Sequence, residues 1–559
     1  MVLSGGGPTS PFSDEERALL SRYVTSTAAP VFALTHLPEV IKGALFSRYS
    51  RSTLGLRELL LTEFINDPEA EFAAIEGADS TAPADAEQAA QRSHLAVERA
   101  QAFYSRILDG YGDDSIGELG GAHLAIEQVS MIATKVLEDA RIGGSPLEKS
   151  TRYVYFADQV DGDFLFCKEP TLMASPHRER YLATCRALFE TNRDLIEPMT
   201  AYVEKAAPRE EGLSEAAWKR SVRARVFDAL RGLLPASTLT NMGIYGNGRF
   251  FETLLIRLQG DRLAELEALG RAMYGELKKV IPSFIRRADP EHPHFAGFAD
   301  YATRLHDWSA ALAGSFPLSG RDSADEASPA IPRREVELHD WDPEAEEKVL
   351  TALVYPASEC DWPEARGVVA GLSPQERAGR LAELAALRQN RRHKPPRALE
   401  MAAYTFDLLG DFGMYRDMHR HRMLTQQRQP LSTRHGFVMP EEVAEAGQGE
   451  TYAAAMAMAD ETFQAIAGDF PAEAQYVVPM AYRIRWHMQV NLRALIWLVE
   501  LRSSPQGHPA YRRMAQDLFH RIKEVHPSFA PLFKFVDLED YPLGRAAAEE
   551  RREQKSPAP

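Results

Sequence analysis

The segment Tyr415–Phe437 reads YRDMHRHRMLTQQRQPLSTRHGF and stands out within this chain of 559 residues. It holds five arginines, three histidines and a single acid, Asp417, although the whole chain carries a formal net charge of −16. Arginine makes paired hydrogen bonds to phosphate oxygens, so the cluster favours a ligand with several phosphates. Arg416 and Arg420 are four residues apart and are expected to share one helix face. A solvated basic helix or intersubunit salt bridges would give the same pattern.

Residues around this segment recur in the N-terminal half, in the same order. The first block pairs Glu118 and Ser150-Thr151-Arg152 with Glu400 and Ser432-Thr433-Arg434, at an offset of 282 residues. The second block pairs Leu-Leu-Pro235 and Asn247-Gly-Arg249 with Val-Val-Pro479 and Asn491-Leu-Arg493, at an offset of 244 residues. Two ungapped blocks in one order predict a tandem duplication. The N-terminal copy has 38 more residues between its blocks.

A stretch rich in Ser, Pro, Gly and Asp lies between the two copies. Residues 314–335 have this composition, which is typical of linkers. The sequence therefore predicts an N-terminal domain over 1–313, a linker over 314–335 and a C-terminal domain over 336–559.

The hydrophobic pattern is mostly helical. Apolar residues recur at spacings of three and four in Val97–Leu108, Leu263–Ile281 and Met514–Ile522, as they do in amphipathic helices. The best strand-like segments are Arg152–Ala157 and His435–Met439. We predict a helix-rich α+β fold, and we find no glycine-rich loop of the dinucleotide or P-loop type.

Charge and composition exclude several classes of protein. A net charge of −16 opposes binding to nucleic acid or to an anionic membrane, and no aromatic residues interleave with the arginines, as binders of single strands require. The apolar runs are too short to span a bilayer. The three cysteines have neither zinc spacing nor a CxxC pair, so we expect no structural metal and a cytoplasmic protein.

The basic segment resembles the signature of the flavin-dependent thymidylate synthases. That signature is Arg-His-Arg, a loop and Ser-x-Arg, and here it reads Arg420-His421-Arg422 and Ser432-Thr433-Arg434. Tyr404-Thr405-Phe406 resembles the Phe-Thr-Phe of the family, and 475–502 resembles its closing block. The similarity covers about residues 393–515, with a weaker copy at about 112–258.

The resemblance implies a role for each matched residue. FAD would be held by Arg420, His421, Arg422 and Asn491. The nucleotide phosphate would be bound by Ser432 and Arg434, with Ser150, Arg152 and Arg231 as candidates from the N-terminal copy. Arg502 would polarise the uracil ring so that its C5 becomes nucleophilic.

The resemblance also implies a reaction and an assembly. Members of the family methylate dUMP to dTMP with methylenetetrahydrofolate, and NADPH reduces the flavin. They are homotetramers, so a chain with two copies would imitate the tetramer as a homodimer. Each half would contain a small antiparallel sheet packed by helices.

The sequence departs from the family pattern at several positions. The loop before Ser432 is two residues longer, with Gln429-Pro430 as the candidate addition. The place of Arg-His-Arg in the N-terminal copy is taken by Glu138-Asp139-Ala140, whose carboxylates would repel a flavin pyrophosphate. The arginine before the closing proline occurs only as Arg231, since the C-terminal copy has Gln475. We therefore expect a composite site, with phosphate contacts from the N-terminal copy and flavin contacts from the C-terminal copy.

Three other functions remain open at this stage. One is the same flavin and folate chemistry on a different pyrimidine nucleotide, which the longer loop favours. Another is a non-catalytic protein that binds FAD or a nucleotide. A nucleic-acid binder is disfavoured by the acidic net charge.

Overall fold

A computed structural model describes residues 12–50, 52–65, 117–316 and 335–555. The predicted helix Val97–Leu108 lies outside these residues, and so does 317–334, the greater part of the predicted linker. The other two predicted helices are confirmed, because Ala264–Leu277 and Pro509–Val525 are helical.

The described strands form three small antiparallel sheets. They are β1 Gly121–Ser130, β2 Gly144–Glu148, β3 Gln159–Val160, β4 Asp163–Phe164, β5 Leu239–Asn247, β6 Val336–Trp341, β7 Ala403–Asp411, β8 Thr425–Arg428 and β9 Arg483–Asn491. The strand orders are β1-β5-β2, β3-β4 and β6-β7-β9-β8. Together with the helices below, these sheets confirm the prediction of a helix-rich α+β fold.

The α-helices of the described residues occupy most of the remaining chain. In the first half they are α1 Asp14–Leu20, α2 Glu39–Tyr49, α3 Leu56–Leu59, α4 Met131–Asp139, α5 Pro170–Ala174, α6 Arg178–Asp194, α7 Ile196–Ala206, α8 Glu215–Leu230, α9 Gly248–Gln259, α10 Ala264–Leu277 and α11 Phe295–Gly314. In the second half they are α12 Ala345–Val354, α13 Trp362–Ala370, α14 Pro374–Ala386, α15 Phe412–Met418, α16 Glu441–Glu445, α17 Gly449–Ala467, α18 Leu492–Arg502, α19 Pro509–Val525 and α20 Ala546–Lys555. Of these helices, none has the length and apolar character needed to cross a membrane.

Residue contacts divide the chain into two compact units. Unit 1 comprises Met1–Ile126, Ala140–Glu148 and Asn241–Asp322, and unit 2 comprises Glu127–Asp139, Lys149–Thr240 and Ser323–Pro559. Unit 2 therefore includes Glu127–Asp139 and Lys149–Thr240, which the sequence assigns to the N-terminal domain, so the compact units do not follow the predicted boundaries at 313 and 336. The boundaries of the two sequence copies stay a prediction.

The two larger sheets repeat one local plan. In each, a strand leads into a short helix and a second strand, and a later strand pairs between those two and leads into another helix. The central strands β5 and β9 have the same alternation of buried and exposed residues along all nine positions. Alternation of this kind buries one face of a strand. The equivalence of β5 with β9 keeps the offset of 244 residues found in the sequence.

The recurring polar residues make equivalent helix caps and ion pairs in the two copies. Asn247 accepts a hydrogen bond from the backbone N–H of Phe250 and so caps α9, and Asn491 caps α18 through Ala494. Such caps satisfy backbone donors that the first helical turn leaves open. The recurring glutamates each pair with a recurring arginine, Glu118 with Arg249 and Glu400 with Arg493.

The closing blocks of the two copies pair with each other inside unit 2. Pro235 lies opposite Pro479 in an antiparallel bridge. The N–H of Ala236 donates to the carbonyl of Val478 at 2.9 Å, and the N–H of Met480 donates to the carbonyl of Leu234 at 3.0 Å. The two donors occupy equivalent positions in the two copies, and so do the two acceptors. The copies are therefore related locally by a pseudo-twofold axis. The pairing places Arg231, from the N-terminal copy, beside residues of the C-terminal copy.

Two sequence expectations about local structure are wrong. Arg152–Ala157 and His435–Met439 form turns and loop rather than strands, apart from a single bridge from Phe437 to Tyr482. The buried side chain of Arg152 anchors the irregular backbone of the first segment. Arg416 and Arg420 do not share a helix face, because α15 ends at Met418; Arg416 is buried and Arg420 is exposed.

Candidate active site

Asp417 lies at the centre of the arginine cluster in unit 2. Arg231 Nη1 is 3.4 Å from one of its carboxylate oxygens, and Arg502 Nη1 is 3.7 Å from the other. Burial alone would raise the pKa of Asp417, but the positive charges of the surrounding arginines hold it well below its usual range. The carboxylate is therefore ionised and links one arginine of each copy.

Arg502 also contacts the central histidine of the Arg-His-Arg motif. Its Nε donates to Nε2 of His421 at 3.0 Å. Burial, with the charge of Arg502 as a second cause, holds the pKa of His421 well below its ordinary value. The imidazole is therefore neutral, and since Nε2 accepts, its proton lies on Nδ1.

Tyr511 connects Arg502 to Arg152, which is buried. The guanidinium groups of Arg502 and Arg152 each lie 5.4 Å from the centre of the Tyr511 ring. Arg152 Nη1 donates to the Tyr511 hydroxyl at 2.7 Å. The aromatic ring thus fixes both arginines from one side of the cluster.

Arg152 pairs mainly with the buried carboxylate of Asp228. Its Nε and Nη2 donate to the two oxygens of Asp228 at 2.8 and 2.9 Å, and Arg545 Nη2 approaches the same carboxylate at 3.0 Å. Burial opposes ionisation of Asp228, but the two arginines bring its pKa far below the usual range. Because protein partners occupy these nitrogens, the expected contribution of Arg152 to phosphate binding stays a prediction.

Arg231 is a buried arginine with spare hydrogen-bonding capacity. Its side chain is 4% exposed, and Nη2 has no hydrogen-bond partner within the described part of the chain. A Cβ on Gly413 would lie 3.2 Å from Arg231 Nε, so the glycine leaves room for the guanidinium. An unpaired buried donor is costly, which favours a site for an anion or another acceptor.

Arg231 lines a cavity of about 380 Å³ within unit 2. The buried hydroxyl of Tyr452 also lines it and, among the described residues, has no hydrogen-bond partner. His508 lies at the same wall with a pKa lowered to about 3, chiefly by burial and then by the charge of Arg231. The rest of the lining is mixed, with apolar side chains such as Met439 and Met480 beside charged ones such as Arg225 and Glu442. A cavity that combines apolar walls with a few polar groups is typical of small-molecule sites.

The remaining predicted residues lie on the same segment or on its counterpart. Arg420 and Arg422 are exposed on either side of buried His421. Arg434 is exposed, Ser432 is half-buried, and the hydroxyl of Ser150 accepts from the N–H of Arg152. Gln475, which occupies the position equivalent to Arg231 of the N-terminal copy, accepts from the N–H of Leu431 and so fixes the loop before Ser432.

The acidic pair of the N-terminal copy faces His419 of the C-terminal copy. Asp139 and Glu138 contact the two ring nitrogens of His419, and Lys135 pairs with Glu138. Burial opposes the charge on His419, but the two carboxylates raise its pKa above the ordinary value. Burial likewise opposes ionisation of Glu138, yet the charge of Lys135 and the bond from His419 bring its pKa to about 2. Here Glu138 and Asp139 serve as partners of a histidine.

The raised pKa of His419 predicts a stability that declines with rising pH. A protonated histidine with a raised pKa stabilises the folded state below the unfolded value of about 6.5, and this contribution is lost as pH rises through the folded pKa. The melting temperature of the wild-type protein is therefore expected to fall more between pH 6.5 and 8.5 than that of His419→Gln. Thermal scans of both proteins across this range would show parallel curves if the cluster contributes nothing.

Several residues of the cluster were not predicted from the sequence. Asp228, Tyr511, Tyr452 and His508 lie far from the motif in sequence, and no local pattern marks them. Asp417 could have been found, since it is the single acid among five arginines. A single carboxylate among five arginines indicates that it pairs with particular arginines.

The fold and the cluster define an α+β protein with an arginine-lined cavity built from two copies of one motif. The family model described as thymidylate synthase complementing protein matches residues 60–283 and 337–528. The chain belongs to this family, which confirms the resemblance carried by the Arg-His-Arg segment.

Three relatives match this chain over most of its length and of their own. A UPF0159 protein of Chlamydia muridarum is 46% identical over 97% of this chain and 98% of its own length. A UPF0159 protein of Chlamydia pneumoniae is 46% identical over 98% of this chain and 99% of its own length, and one of Thermoplasma acidophilum is 35% identical over 82% and 93%. A crystal structure of the UMP/dUMP methylase PolB from Streptomyces cacaoi bound with 5-Br dUMP is also similar, at 18% identity and a TM-score of 0.29, over 36% of this chain and 94% of that one.

Proposed function

We propose that this chain is an FAD-dependent thymidylate synthase that methylates dUMP to dTMP with methylenetetrahydrofolate and NADPH. The observation that carries the proposal is the convergence of Arg231 and Arg502 on Asp417, beside the neutral His421 of the Arg-His-Arg motif. Family membership supplies the reaction class. The nucleotide and its reductant are metabolites of the cytoplasm, where we place the enzyme.

The residues present fit a flavin dinucleotide. Exposed Arg420 and Arg422 present cationic groups to solvent and flank a buried neutral imidazole. Arginines suit a pyrophosphate, and a neutral ring suits an uncharged flavin edge. Asn491 uses its side-chain oxygen to cap α18, which leaves its amide N–H groups as donors to a ligand. When bound, FAD would carry the hydride from NADPH.

The nucleotide would lie between Arg231 and Arg502. Arg231 offers an unpaired buried N–H group to the phosphate, with Ser432, Arg434 and Ser150 as further candidates. Arg502 would lie beside a pyrimidine carbonyl and stabilise negative charge as C5 becomes nucleophilic. Its contacts with His421 and Tyr511 hold the guanidinium in place before substrate arrives.

The test of this function is the visible absorption spectrum of the purified protein with FAD and then dUMP. We expect a flavin band in the wild-type protein and in the control Arg521→Ala, whose arginine pairs with Glu524 away from the cluster. Arg420→Ala is expected to lose most of the bound flavin. Perturbation of the band by dUMP and formation of dTMP would support the proposal, and no flavin binding with FAD in excess would refute it.

A second candidate is the same chemistry on another pyrimidine nucleotide. The observation that favours it is Gln475, which holds the lengthened loop by its hydrogen bond to Leu431 where the family has an arginine. In the same titration, a band perturbed by a different uracil or cytosine nucleotide but not by dUMP would select this candidate.

We also propose that the chain forms a homodimer, which the exposed face of α11 supports. This helix of twenty residues has no buried residue. Large apolar side chains, 41% to 65% exposed, recur at the three- and four-residue spacing of a coiled-coil seam: Phe298, Tyr301, Leu305, Trp308 and Leu312. Ala299 and Asp307, on another side of the helix, contact Gly260 and Arg262 of unit 1.

The order of side chains along this stripe suits a second copy of the same helix. Two antiparallel copies centred on Leu305 would place Phe298 opposite Leu312 and Tyr301 within one residue of the position opposite Trp308. A symmetric dimer requires such a self-complementary patch. A seam of this length buries on the order of 1,000 Å², the lower range for a specific interface.

Disrupting the stripe is expected to separate the dimer. A charge at the centre of the seam, in Leu305→Glu, would be desolvated on both copies, so light scattering should show the mass of a dimer for wild type and of a monomer for the variant. Arg304→Glu, on the neighbouring position, is the matched control and should remain dimeric. A monomeric wild-type protein, or a dimeric Leu305→Glu, would contradict this assignment.

A further inference from the structure

We propose that the hydroxyl of Tyr452 is a further ligand-binding group of this site and that it donates to the same phosphate as Arg231. The inference rests on the function proposed above, since its ligand is the nucleotide placed there. It adds a residue that lies outside the Arg-His-Arg and Ser-Thr-Arg segments, on helix α17. The two donors come from different copies of the duplicated motif, Arg231 from the N-terminal copy and Tyr452 from the C-terminal copy.

The hydroxyl of Tyr452 is buried and has no hydrogen-bond partner within the described part of the chain. A hydroxyl buried in this way destabilises the folded protein, and phenylalanine would fill the same space without that cost. An unsatisfied polar group in a native structure therefore calls for a physical reason. Tyr452 lines the cavity of about 380 Å³, so a ligand that enters the cavity supplies the missing acceptor.

Two glycines make room for the hydroxyl and for the guanidinium of Arg231 in unit 2. A Cβ on Gly232, the residue after Arg231, would clash with the Tyr452 hydroxyl oxygen. A Cβ on Gly413 would lie 3.2 Å from Arg231 Nε and 3.4 Å from its Nη2. The hydroxyl therefore lies against the backbone next to Arg231, and both residues line the same cavity.

The charges at this end of the cavity keep the hydroxyl in its donating form. Burial, and then the charge of Asp411, raise the pKa of Tyr452 well above its ordinary value, so the proton stays on the oxygen. An oxygen of Asp411 accepts the N–H of Met414, and the charge of Arg231 opposes the rise in the pKa of Asp411 that burial causes. A ligand thus meets one cationic donor and one neutral donor.

A phosphate is the acceptor that satisfies both unpaired groups at once. Arg231 Nη2 is a charged donor without a partner among the described residues, and anionic oxygens are the strongest acceptors for such a group. Because a phosphate carries several of these oxygens, one group accepts from Arg231 and from Tyr452. A water molecule or a sugar hydroxyl would accept from Tyr452 but would leave Arg231 Nη2 without an anion.

The experiment compares Tyr452→Phe with the wild-type protein, by isothermal titration of the FAD-loaded protein with dUMP and deoxyuridine and by melting scans without nucleotide. We expect dUMP affinity to fall by about tenfold or more, as for a lost hydrogen bond to a charged group. Deoxyuridine, which has no phosphate, should behave alike with both proteins. The melting temperature should equal or exceed that of wild type, because the substitution removes a buried hydroxyl that lacks a partner.

Tyr482→Phe is the matched control for this substitution. The Tyr482 hydroxyl is also buried, but it donates to the carbonyl of Met456 at 2.8 Å, on the same helix α17 that carries Tyr452. Its removal breaks a hydrogen bond that the protein makes without ligand. This variant should therefore melt below wild type and bind dUMP within about twofold of the wild-type affinity.

Each other outcome overturns a different part of the account. Wild-type dUMP affinity in Tyr452→Phe overturns this inference and leaves the proposed function standing; a lower melting temperature in that variant would then show a hydroxyl that serves structure alone. Equal losses of affinity for dUMP and deoxyuridine would place the hydroxyl at the sugar or base and overturn the phosphate contact. Failure of the wild-type protein to bind dUMP overturns the proposed function itself.

Discussion

Replacing Arg502 with alanine is expected to lower the rate of dTMP formation by about 10²–10³-fold, the usual cost of removing one group that stabilises developing negative charge. The Arg502 side chain is 12% exposed, and it contacts Asp417 and donates to His421, so its guanidinium is held in one orientation. Substrate enters a site in which this charge is already placed and needs no reorganisation. The measurement is kcat with dUMP, methylenetetrahydrofolate and NADPH at saturation.

The control for this substitution is Arg521→Ala, which removes an arginine of the neighbouring helix α19 outside the cluster. Its kcat should stay within about twofold of wild type, because the partner of Arg521 is Glu524 and neither residue contacts the cluster. Arg502→Ala should still bind FAD, since the arginines proposed for the flavin are Arg420 and Arg422. A kcat for Arg502→Ala above half of the wild-type value would contradict the role given to this residue.

Replacing Asp228 with asparagine is expected to produce the largest loss of stability, about 3–5 kcal/mol. The substitution leaves two buried guanidinium groups, those of Arg152 and Arg545, without the carboxylate that both contact. All three side chains are less than a tenth exposed, so water cannot replace the lost partner. The melting temperature, measured without ligand, should fall by several degrees.

Asp163→Asn is the matched control for Asp228→Asn, because it also removes a carboxylate that pairs with an arginine, here one that is exposed. Asp163 accepts two hydrogen bonds of 3.0 Å from Arg186, but the arginine is 44% exposed. Exposed pairs contribute about 0–1 kcal/mol, so this variant should melt close to wild type. Equal losses in the two variants would show that burial of the Asp228 cluster does not determine its contribution.

Much of the fold was accessible from the sequence because it depends on local patterns. The spacing of apolar residues in Leu263–Ile281 and Met514–Ile522 predicted helices that the structure contains. The duplication was visible because Asn247 and Asn491 keep one capping role at equivalent positions, and only a few residue types serve as such caps. The strands β5 and β9 were missed, although their alternation of buried residues would have identified them.

The sequence could not predict which segments make up unit 2, because this depends on contacts between segments that are distant along the chain. Reciprocal hydrogen bonds at Pro235 and Pro479 join the two copies through backbone atoms, which leave no signature in the side chains. The sequence suggested that Arg231 belongs with the C-terminal motif only because Gln475 fails to supply the arginine. The partners of that arginine, Asp417 above all, follow from the three-dimensional pairing.

The central claim is that the nucleotide site combines Arg231 of the N-terminal copy with the flavin and base contacts of the C-terminal copy. The most direct test is titration of the FAD-loaded protein with dUMP, followed through the flavin absorption band, in wild type, Arg231→Ala and the surface control Arg193→Ala. We predict that all three bind FAD and that Arg231→Ala alone loses dUMP affinity, by about 30-fold or more, as expected when a charged hydrogen bond to phosphate is removed. A dUMP titration of Arg231→Ala that superimposes on the wild-type curve would contradict the composite site.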